Sequence, residues 1–217
     1  MKIKACLFDL DGVIVDTAKY HFIAWKEMAA ELGFDFTEKE NELLKGVSRM
    51  RSLDILLGIG KVTKTEEEKL VLAEKKNQRY LEYVKQMNKE EILPGVTRFL
   101  DDLRCNGILI ALGSASKNAP LILDRIHLKG KFDVIVDGNS ISSAKPDPEV
   151  FLRGAELLGV NPAGCLVFED AQAGIEAALN GGMKVIGVGS SDLLSHAGHY
   201  IQGFEKLDYE QLSSWYQ

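Results

Sequence analysis

The chain has 217 residues, of which 46% are hydrophobic, enough for one domain with an insertion or for two small domains. With 26 basic and 32 acidic residues, its net charge of −6 argues against nucleic acid or an anionic membrane as the main partner. An anionic substrate would therefore need a local basic pocket.

The sequence shows no sign of export or of a membrane anchor. It has neither a charged-then-apolar leader nor a stretch of about 18 uninterrupted apolar residues. The three cysteines are widely spaced and form no C-x-x-C motif, so we interpret them as small, mostly buried residues. We expect a reduced, cytoplasmic protein.

The first predicted element is a strand at residues 3–8, whose apolar side chains are typical of a strand buried on both faces of a parallel sheet. Asp9 and Asp11 follow it directly, with Gly12 behind them. Open α/β sheets bind ligands at the carboxyl ends of their strands, so these acids are candidates for chemistry. The alternative is a pair of solvated aspartates in an ordinary turn.

Residues 16–93 contain no convincing strand. Apolar residues between positions 22 and 32 recur at helical spacing and predict an amphipathic helix. Two capping-box patterns mark further helix starts, Thr37 with Glu40 and Thr65 with Glu68. We interpret 16–93 as an all-helical cap domain inserted after the first strand, with "LPG" at 93–95 as the return hinge.

From Gly95 onward, strand and helix patterns alternate until about residue 189. Helices are predicted at 96–103, 117–128, 147–158 and 173–182, and strands at 108–113, 132–138, 165–170 and 184–189. The alternation predicts an α/β fold, a Rossmann-like parallel sheet with helices on both faces. Residues 1–15 and 94–217 would form this core, and the sequence after Gly189 carries no usable motif.

A second acidic pair, Glu169 and Asp170, follows a predicted strand just as Asp9 follows the first. If the two strands are neighbours, their carboxylates converge and repel one another unless a hard divalent cation binds among them. All-oxygen ligands suit Mg²⁺, which often shares a substrate phosphate. The two pairs together predict a magnesium site.

Two further loops could reach the same sheet edge. Ser114, Ser116 and Lys117 lie between a strand and a helix, where hydroxyl and N–H groups can bind an anion; ordinary N-capping by Ser116 is the alternative. Lys145 precedes another helix, and a lone lysine there is more often solvated. Together, these groups predict a phosphoryl-transfer site in which one aspartate attacks phosphorus and another exchanges protons.

These motifs resemble the haloacid dehalogenase-like superfamily of phosphotransferases. All four of its motifs occur in order: "DLDGV" at 9–13, Ser114 after a strand, Lys145 in "AKPDP", and "EDAQAGIEAA" from 169. The resemblance implies that Asp9 is the nucleophile and Asp11 the general acid/base, and that Ser114 and Lys145 hold the transferred phosphoryl group. The implied Mg²⁺ ligands are the Asp9 side chain, the Asp11 main-chain carbonyl, Glu169 and Asp170.

The insert resembles the helical cap of the β-phosphoglucomutase family, through "DTAKYHFIAWK" at 16–26 and "NELLKGVSRM" at 41–50. This implies conversion of β-glucose 1-phosphate to glucose 6-phosphate, with β-glucose 1,6-bisphosphate as intermediate and activator. Two phosphates on one sugar need two cationic contacts, Lys145 from the core and Arg49 from the cap. A sugar-phosphate phosphatase needs only the first, and it remains the alternative. A binding module on a retired phosphatase fold is a third possibility, which the full motif set disfavours.

By the same resemblance, Arg49 binds the distal phosphate beside Ser116, Lys117 and Asn118. The residues implied to line the sugar or couple binding to closure are His21, Trp25, Lys45, Gly46, Val47 and Lys76. From the residues alone, His21 could be a packed structural histidine and Lys76 a surface charge. Ala171 stands where some relatives carry serine, a change expected to matter little. Opening and closing of such a cap suits a monomer.

Overall fold

In the computed structural model, which describes residues 3–190 and 194–216, the core of the chain is a parallel sheet. Its strands, in the order β3-β2-β1-β4-β5-β6, are all parallel to their neighbours. They are β1 Ala5–Phe8, β2 Leu109–Gly113, β3 Val134–Val136, β4 Cys165–Glu169, β5 Lys184–Val188 and β6 His199–Ile201. Residues 1, 2, 191–193 and 217 of the predicted core lie outside the described residues.

The central strand β1 is buried on both faces, as its apolar sequence predicts. Cys6 and Phe8 pack into one hydrophobic cluster, whereas Ala5 and Leu7 pack into another. Successive side chains of a strand point to opposite faces, so helices cover both sides of the sheet. The predicted α/β fold with a parallel sheet is confirmed.

Helices surround the sheet and also form most of the segment between β1 and β2. The α-helices are α1 Ala18–Glu31, α2 Glu38–Asn41, α3 Arg49–Ile59, α4 Glu66–Val84, α5 Val96–Cys105, α6 Ala119–Arg125, α7 Glu149–Leu158, α8 Gln172–Asn180 and α9 Tyr209–Ser214. Short 3₁₀ helices occupy Glu42–Leu44, Lys89–Glu91, Lys129–Lys131 and Pro162–Gly164. In the described part of the chain, no helix is both long and apolar enough to cross a membrane.

Helices α1 to α4 pack around a hydrophobic cluster of their own, which includes Trp25, Met28 and Leu56. The two chain segments that connect this cluster to the sheet lie side by side. Val15 forms an antiparallel bridge with Ile92, and the Leu93 N–H donates to the Ile14 carbonyl at 3.0 Å. This arrangement is consistent with a cap at 16–93, a boundary that stays a prediction.

Local signals predicted most helix starts correctly. Both capping boxes form, with the Thr37 and Thr65 hydroxyls accepting from main-chain N–H groups three residues on. The helix predicted from Asp147 starts two residues later, at Glu149, whose N–H donates to the Asp147 carboxylate at 2.9 Å. The helix predicted at 117–128 is shorter, Ala119–Arg125. Strand β6 and helix α9 were not predicted.

Candidate active site

The two acidic pairs meet because β1 and β4 are neighbours in register. Phe8 pairs with Phe168, and the Asp9 N–H donates to the Phe168 carbonyl at 3.0 Å. The next residues, Asp9 and Glu169, therefore leave the sheet side by side. Asp9, Glu169 and Asp170 can each present a carboxylate oxygen within 4.8 Å of the others. This is the cluster expected from parallel pairing.

Gly12 allows the loop after β1 to pass over this cluster. Its φ of +79° lies in the left-handed region, and a Cβ there would come within 2.0 Å of the Asp170 carboxylate. Any other residue would displace the acid. The glycine behind the first acidic pair is therefore required by both backbone conformation and space.

Lys145 lies inside the carboxylate cluster. Its Nζ is 2.6 Å from Asp9 Oδ1 and 2.6 Å from Glu169 Oε1, and its side chain is fully buried. Burial by itself lowers the pKa of the ammonium group, but the two carboxylates more than offset this and leave the pKa raised. The lysine is therefore a permanent cation, and the solvated alternative is wrong.

Asp11 points away from this cluster toward the helical segment. The Thr17 hydroxyl donates to its carboxylate, and Nε2 of His21 lies 3.8 Å from it. Burial, followed by the charge of Asp9, raises the pKa of Asp11 to about 6. A carboxyl group with such a pKa can exchange protons near neutral pH.

The loop after β2 brings several polar groups to the same edge of the sheet. Ser114 is buried, its N–H donates to the Val136 carbonyl at 3.0 Å, and its hydroxyl accepts from the Ser116 N–H at 3.1 Å. The Ser116 hydroxyl in turn accepts from the Asn118 N–H at 3.2 Å. The N-cap of α6 is Asn118, without a side-chain cap, so helix capping by Ser116 is wrong. Ser116 shapes the preceding turn and lines the cavity with Lys117 and Asn118.

Lys76 of α4 is buried at the inner face of the helical segment. Its Nζ lies 2.8 Å from Nδ1 of His21 and sits over the rings of Trp25 and Tyr80, at 4.7 and 4.8 Å from their centroids. Burial, and then the nearby Arg49, lower the pKa of Lys76 to about 7. The interpretation of Lys76 as a surface charge is wrong.

His21 is a neutral link between Lys76 and Asp11. Burial, followed by the charge of Lys76, holds its pKa well below the ordinary value. In a neutral ring, Nδ1 is assigned as the acceptor of a hydrogen bond from the Lys76 ammonium group, which assigns the ring hydrogen to Nε2, 3.8 Å from Asp11. The purely structural interpretation of His21 does not account for these two polar contacts.

The segment from 45 to 49 forms the opposite wall. Gly46 has a φ of +71°, and both Gly46 and Val47 line the cavity. Lys45 pairs with Glu42 at 2.9 Å. Arg49, the first residue of α3, is partly buried, and its guanidinium lies 3.7 Å from the Glu74 carboxylate, longer than a hydrogen bond. It is available for a stronger anionic partner.

A cavity of about 560 Å³ lies between the helical segment and the sheet edge. The predicted residues that line it are Asp9, Asp11, His21, Trp25, Lys45, Gly46, Val47, Arg49, Lys76, Ser116, Lys117, Asn118 and Asp170. Ser114, Lys145 and Glu169 do not line the cavity and are buried behind its core wall. The residues predicted from the helical segment and from the sheet edge thus line one cavity.

The sequence analysis missed several residues of the site, among them Thr17, Asn77 and Tyr80. Thr17 donates to Asp11, Tyr80 lines the cavity beside His21, and Asn77 accepts from the Asn118 amide at 3.0 Å. A signal for two of them was present, because positions 73, 76, 77, 80 and 84 form one buried stripe of α4 at helical spacing.

Comparisons with known proteins show which family the chain resembles. Residues 3–182 match the family model of the haloacid dehalogenase-like hydrolases. The chain is 43% identical over 217 residues to a β-phosphoglucomutase of Bacillus subtilis, covering 99% of this chain and 96% of that one. It is 32% identical to a phosphorylated-carbohydrates phosphatase of Thermotoga maritima, over 84% of this chain and 83% of the relative.

A solved structure extends the likeness to the whole fold. The crystal structure of a β-phosphoglucomutase from Clostridium difficile superposes with a TM-score of 0.94 and 42% identity, covering 99% of this chain and 97% of that one. The helical segment and the sheet are therefore both shared with that protein.

Proposed function

The chain belongs to the haloacid dehalogenase-like hydrolase family, and we propose that it is a phosphoglucomutase that interconverts β-D-glucose 1-phosphate and glucose 6-phosphate. The observation that carries the proposal is that cations are present on both the core side and the cap side of the cavity. Lys145 lies under the core wall, whereas Arg49 lines the cap wall. A sugar carrying a phosphate at each end needs both, and the likeness to two β-phosphoglucomutases supports the same conclusion.

In this proposal, Asp9 carries the phosphoryl group. Its carboxylate oxygen bonds to phosphorus while the bond from phosphorus to the donor oxygen breaks, which gives an aspartyl phosphate. Asp11 supplies the proton that the departing oxygen needs and later accepts the proton of the incoming sugar hydroxyl. Its pKa of about 6 supports both roles near neutral pH. Lys145 and Ser114 would hold the transferred phosphoryl group.

The acidic cluster fits a magnesium ion. Burial, followed by the charges of Glu169 and Asp9, raises the pKa of Asp170 well above its ordinary value, so this corner has more carboxylates than positive charge to balance them. The ligands would be the side chains of Asp9, Glu169 and Asp170 with the main-chain carbonyl of Asp11. When bound, the ion neutralises the oxygens of the transferring phosphoryl group.

The reaction would pass through β-glucose 1,6-bisphosphate, which turns over in the cavity and returns its other phosphate. Arg49 would bind the distal phosphate together with Ser116, Lys117 and Asn118. Gly46, Val47, Trp25 and Lys76 would surround the sugar, while His21 and Lys45 couple binding to closure of a cap at 16–93. Because one chain completes the cavity, a monomer would suffice for activity. We propose a cytoplasmic location.

A sugar-phosphate phosphatase is the second candidate. It is favoured by the 32% identity to the phosphorylated-carbohydrates phosphatase of Thermotoga maritima. The two activities share the aspartyl phosphate and differ only in its acceptor, a sugar hydroxyl or water. Arg49 distinguishes them, since a phosphatase has no second phosphate to bind.

One reaction followed in two channels tests the proposal. The protein, Mg²⁺ and β-glucose 1-phosphate, primed with a trace of the 1,6-bisphosphate, are assayed for glucose 6-phosphate and for free phosphate. We expect glucose 6-phosphate to exceed free phosphate by at least about tenfold, and turnover to disappear in Asp9→Ala. Free phosphate without glucose 6-phosphate would show a phosphatase.

A matched pair of arginine variants tests the cap side. Arg49→Ala should raise the KM for β-glucose 1-phosphate by about 10- to 100-fold, the cost of one charge-assisted contact. Arg51→Ala removes the same charge from an exposed position one half-turn along α3 and should leave KM within about twofold. Equal effects of the two substitutions would contradict a specific phosphate contact.

A further inference from the structure

The loop at 45–47 touches the core at one tightly packed point. Gly46 lies against the start of α8, and a Cβ built on it would be 2.7 Å from the Cβ of Ala171. The same atom would be 3.9 Å from the Cβ of Ala173 and 3.9 Å from the Gly174 nitrogen. The Ala171 methyl group therefore lies so close to Gly46 that a Cβ at position 46 would have no room.

Ala171 cannot retreat from this contact. It is the N-cap residue of α8, and its N–H donates to Glu169 Oε2 at 2.8 Å. Glu169 is itself fixed by Lys145 at 2.6 Å. Because the core main chain is held, a larger side chain at position 171 that reaches toward Gly46 would displace the cap loop and not the core.

The same loop is a wall between two openings. Lys45 and Val47 line the candidate active-site cavity of about 560 Å³ and also a second cleft of about 830 Å³ on the other side. Asp170 lines both as well. Lifting the loop off Ala171 would join the second cleft to the cavity beside the acidic cluster and open a path for water.

We propose that the Ala171 methyl group is the stop against which the cap closes, and that the size of residue 171 sets how much aspartyl phosphate is lost to water. The inference rests on the proposed mutase function and adds a specificity-determining residue to it. Serine adds a single oxygen, which can turn away from Gly46, so we still expect it to matter little, whereas valine and leucine add more bulk at this contact.

Both fates of the phosphoenzyme balance in the same way. In transfer, a sugar hydroxyl oxygen bonds to phosphorus as the phosphorus–Asp9 oxygen bond breaks; its proton passes to Asp11, and the Asp9 carboxylate is restored. In hydrolysis, a water oxygen takes the place of the hydroxyl oxygen and the product is inorganic phosphate. Exclusion of water is thus the difference between a mutase and a phosphatase.

The test is a graded series, Ala171→Ser, Ala171→Val and Ala171→Leu, assayed for glucose 6-phosphate and free phosphate in one reaction. The ratio of free phosphate to glucose 6-phosphate should stay within about twofold for serine and rise about tenfold or more for valine and leucine. Ala163→Val, far from the cap at an exposed turn, should keep the parent ratio. Mn²⁺ binding followed by electron paramagnetic resonance should be unchanged, which shows that the acidic cluster is intact.

Two results would overturn the stop. One is an unchanged product ratio in valine and leucine variants that still bind Mn²⁺; the other is a loss of both products in parallel. The lifetime of the aspartyl phosphate formed with acetyl phosphate gives a readout that does not involve the sugar. If the parent protein made only free phosphate, the proposed function would fail, yet the stop would still require a shorter lifetime in the valine and leucine variants.

Discussion

Two buried lysines flank the candidate active site, and their surroundings shift their pKa values in opposite directions. Lys145 of the core touches two carboxylates at 2.6 Å, and its pKa is raised despite burial. Lys76 of the cap has a neutral histidine as its near polar partner, and burial lowers its pKa to about 7. The core lysine thus has carboxylate counter-charges from the protein itself, whereas the cap lysine would gain its counter-charge from an anionic ligand.

This difference implies a division of work. The core groups assemble whether or not a sugar is present, because strand pairing and buried ion pairs fix them. Burial of the cap cation without a counter-charge lowers the free energy of unfolding, and binding of an anionic substrate would offset this loss. Each substitution below removes a group from one side and tests whether the effect falls on chemistry, stability or binding.

Asp9→Asn should have the largest effect. The amide keeps the shape of the side chain but cannot attack phosphorus, so turnover should fall by about 10⁴-fold or more. Mass spectrometry after reaction with acetyl phosphate should show no phosphoenzyme, in contrast to the parent. A variant that retained a tenth of the parent turnover would exclude Asp9 as nucleophile. Circular dichroism serves as the control that the fold is unchanged.

Lys145→Met should chiefly cost stability. It leaves Asp9 and Glu169 as adjacent buried carboxylates, and breaking such a buried pair typically costs about 3–5 kcal/mol of unfolding free energy. Urea unfolding in EDTA measures the loss. Saturating Mg²⁺ should restore part of it, because the ion replaces the missing positive charge.

The control for this prediction is Lys39→Met, at an exposed position of α2, which should change the unfolding free energy by about 0.5 kcal/mol or less. If Lys145→Met were as mild as the control, the cluster would not depend on the lysine. A loss that Mg²⁺ did not reduce would argue against an ion at these carboxylates.

The site residues of the core and of the cap also differ in how far the sequence could predict their positions. Asp9 and Glu169 follow apolar strands, so the pattern predicted an acidic cluster on the condition that the two strands are neighbours, which the structure shows them to be. The position of Lys145 did not, since it lies in a loop where no periodicity restricts the chain; only the family resemblance indicated its role.

In the cap, charge composition concealed the structure. Lys76 lies within a run of charged residues, yet it occupies the buried stripe of α4 between Ala73 and Tyr80. The capping box at Thr65 and Glu68 marked the start of the helix, but it could not show which face of the helix is buried or that this face lines a cavity. At the other end of the chain, β6 has only three residues and sits at the sheet edge, too short to show a pattern.

Lys76→Met should weaken substrate binding and increase the stability of the fold. Loss of the cation should raise the KM for β-glucose 1-phosphate about tenfold. At pH 6 the parent lysine is charged and buried, so methionine should raise the unfolding free energy by on the order of 2 kcal/mol. Because the folded pKa of about 7 lies below the unfolded value, the parent gains stability as pH rises from 7 to 10, and the advantage of methionine should shrink.

Lys75→Met, one residue earlier on the exposed face, is the matched control and should change neither KM nor the pH dependence of unfolding. Unfolding of both variants by urea at several pH values makes the comparison. A stability gain for Lys76→Met that was independent of pH would show apolar packing and not relief of a buried charge.

Tyr80→Phe should have the smallest effect of these substitutions. The phenol oxygen is buried without a hydrogen-bond partner of full geometry among the described residues; the Thr17 hydroxyl approaches it but donates to Asp11. Removing an unpaired hydroxyl relieves a desolvation cost, so the unfolding free energy should be unchanged or rise by up to about 1 kcal/mol. The ring keeps its stacking on His21 at 4.1 Å.

The kinetics of Tyr80→Phe test whether the hydroxyl gains a partner during turnover. If the Tyr80 hydroxyl has no partner during turnover, kcat and KM should stay within about twofold of the parent, as they should in Tyr83→Phe on the outer part of α4. A stable Tyr80→Phe protein with kcat lowered tenfold would instead mean that the hydroxyl finds its partner only when the sugar phosphate is bound. The cap would then hold a donor as well as a cation in reserve for the substrate, which would deepen its contrast with the self-sufficient core.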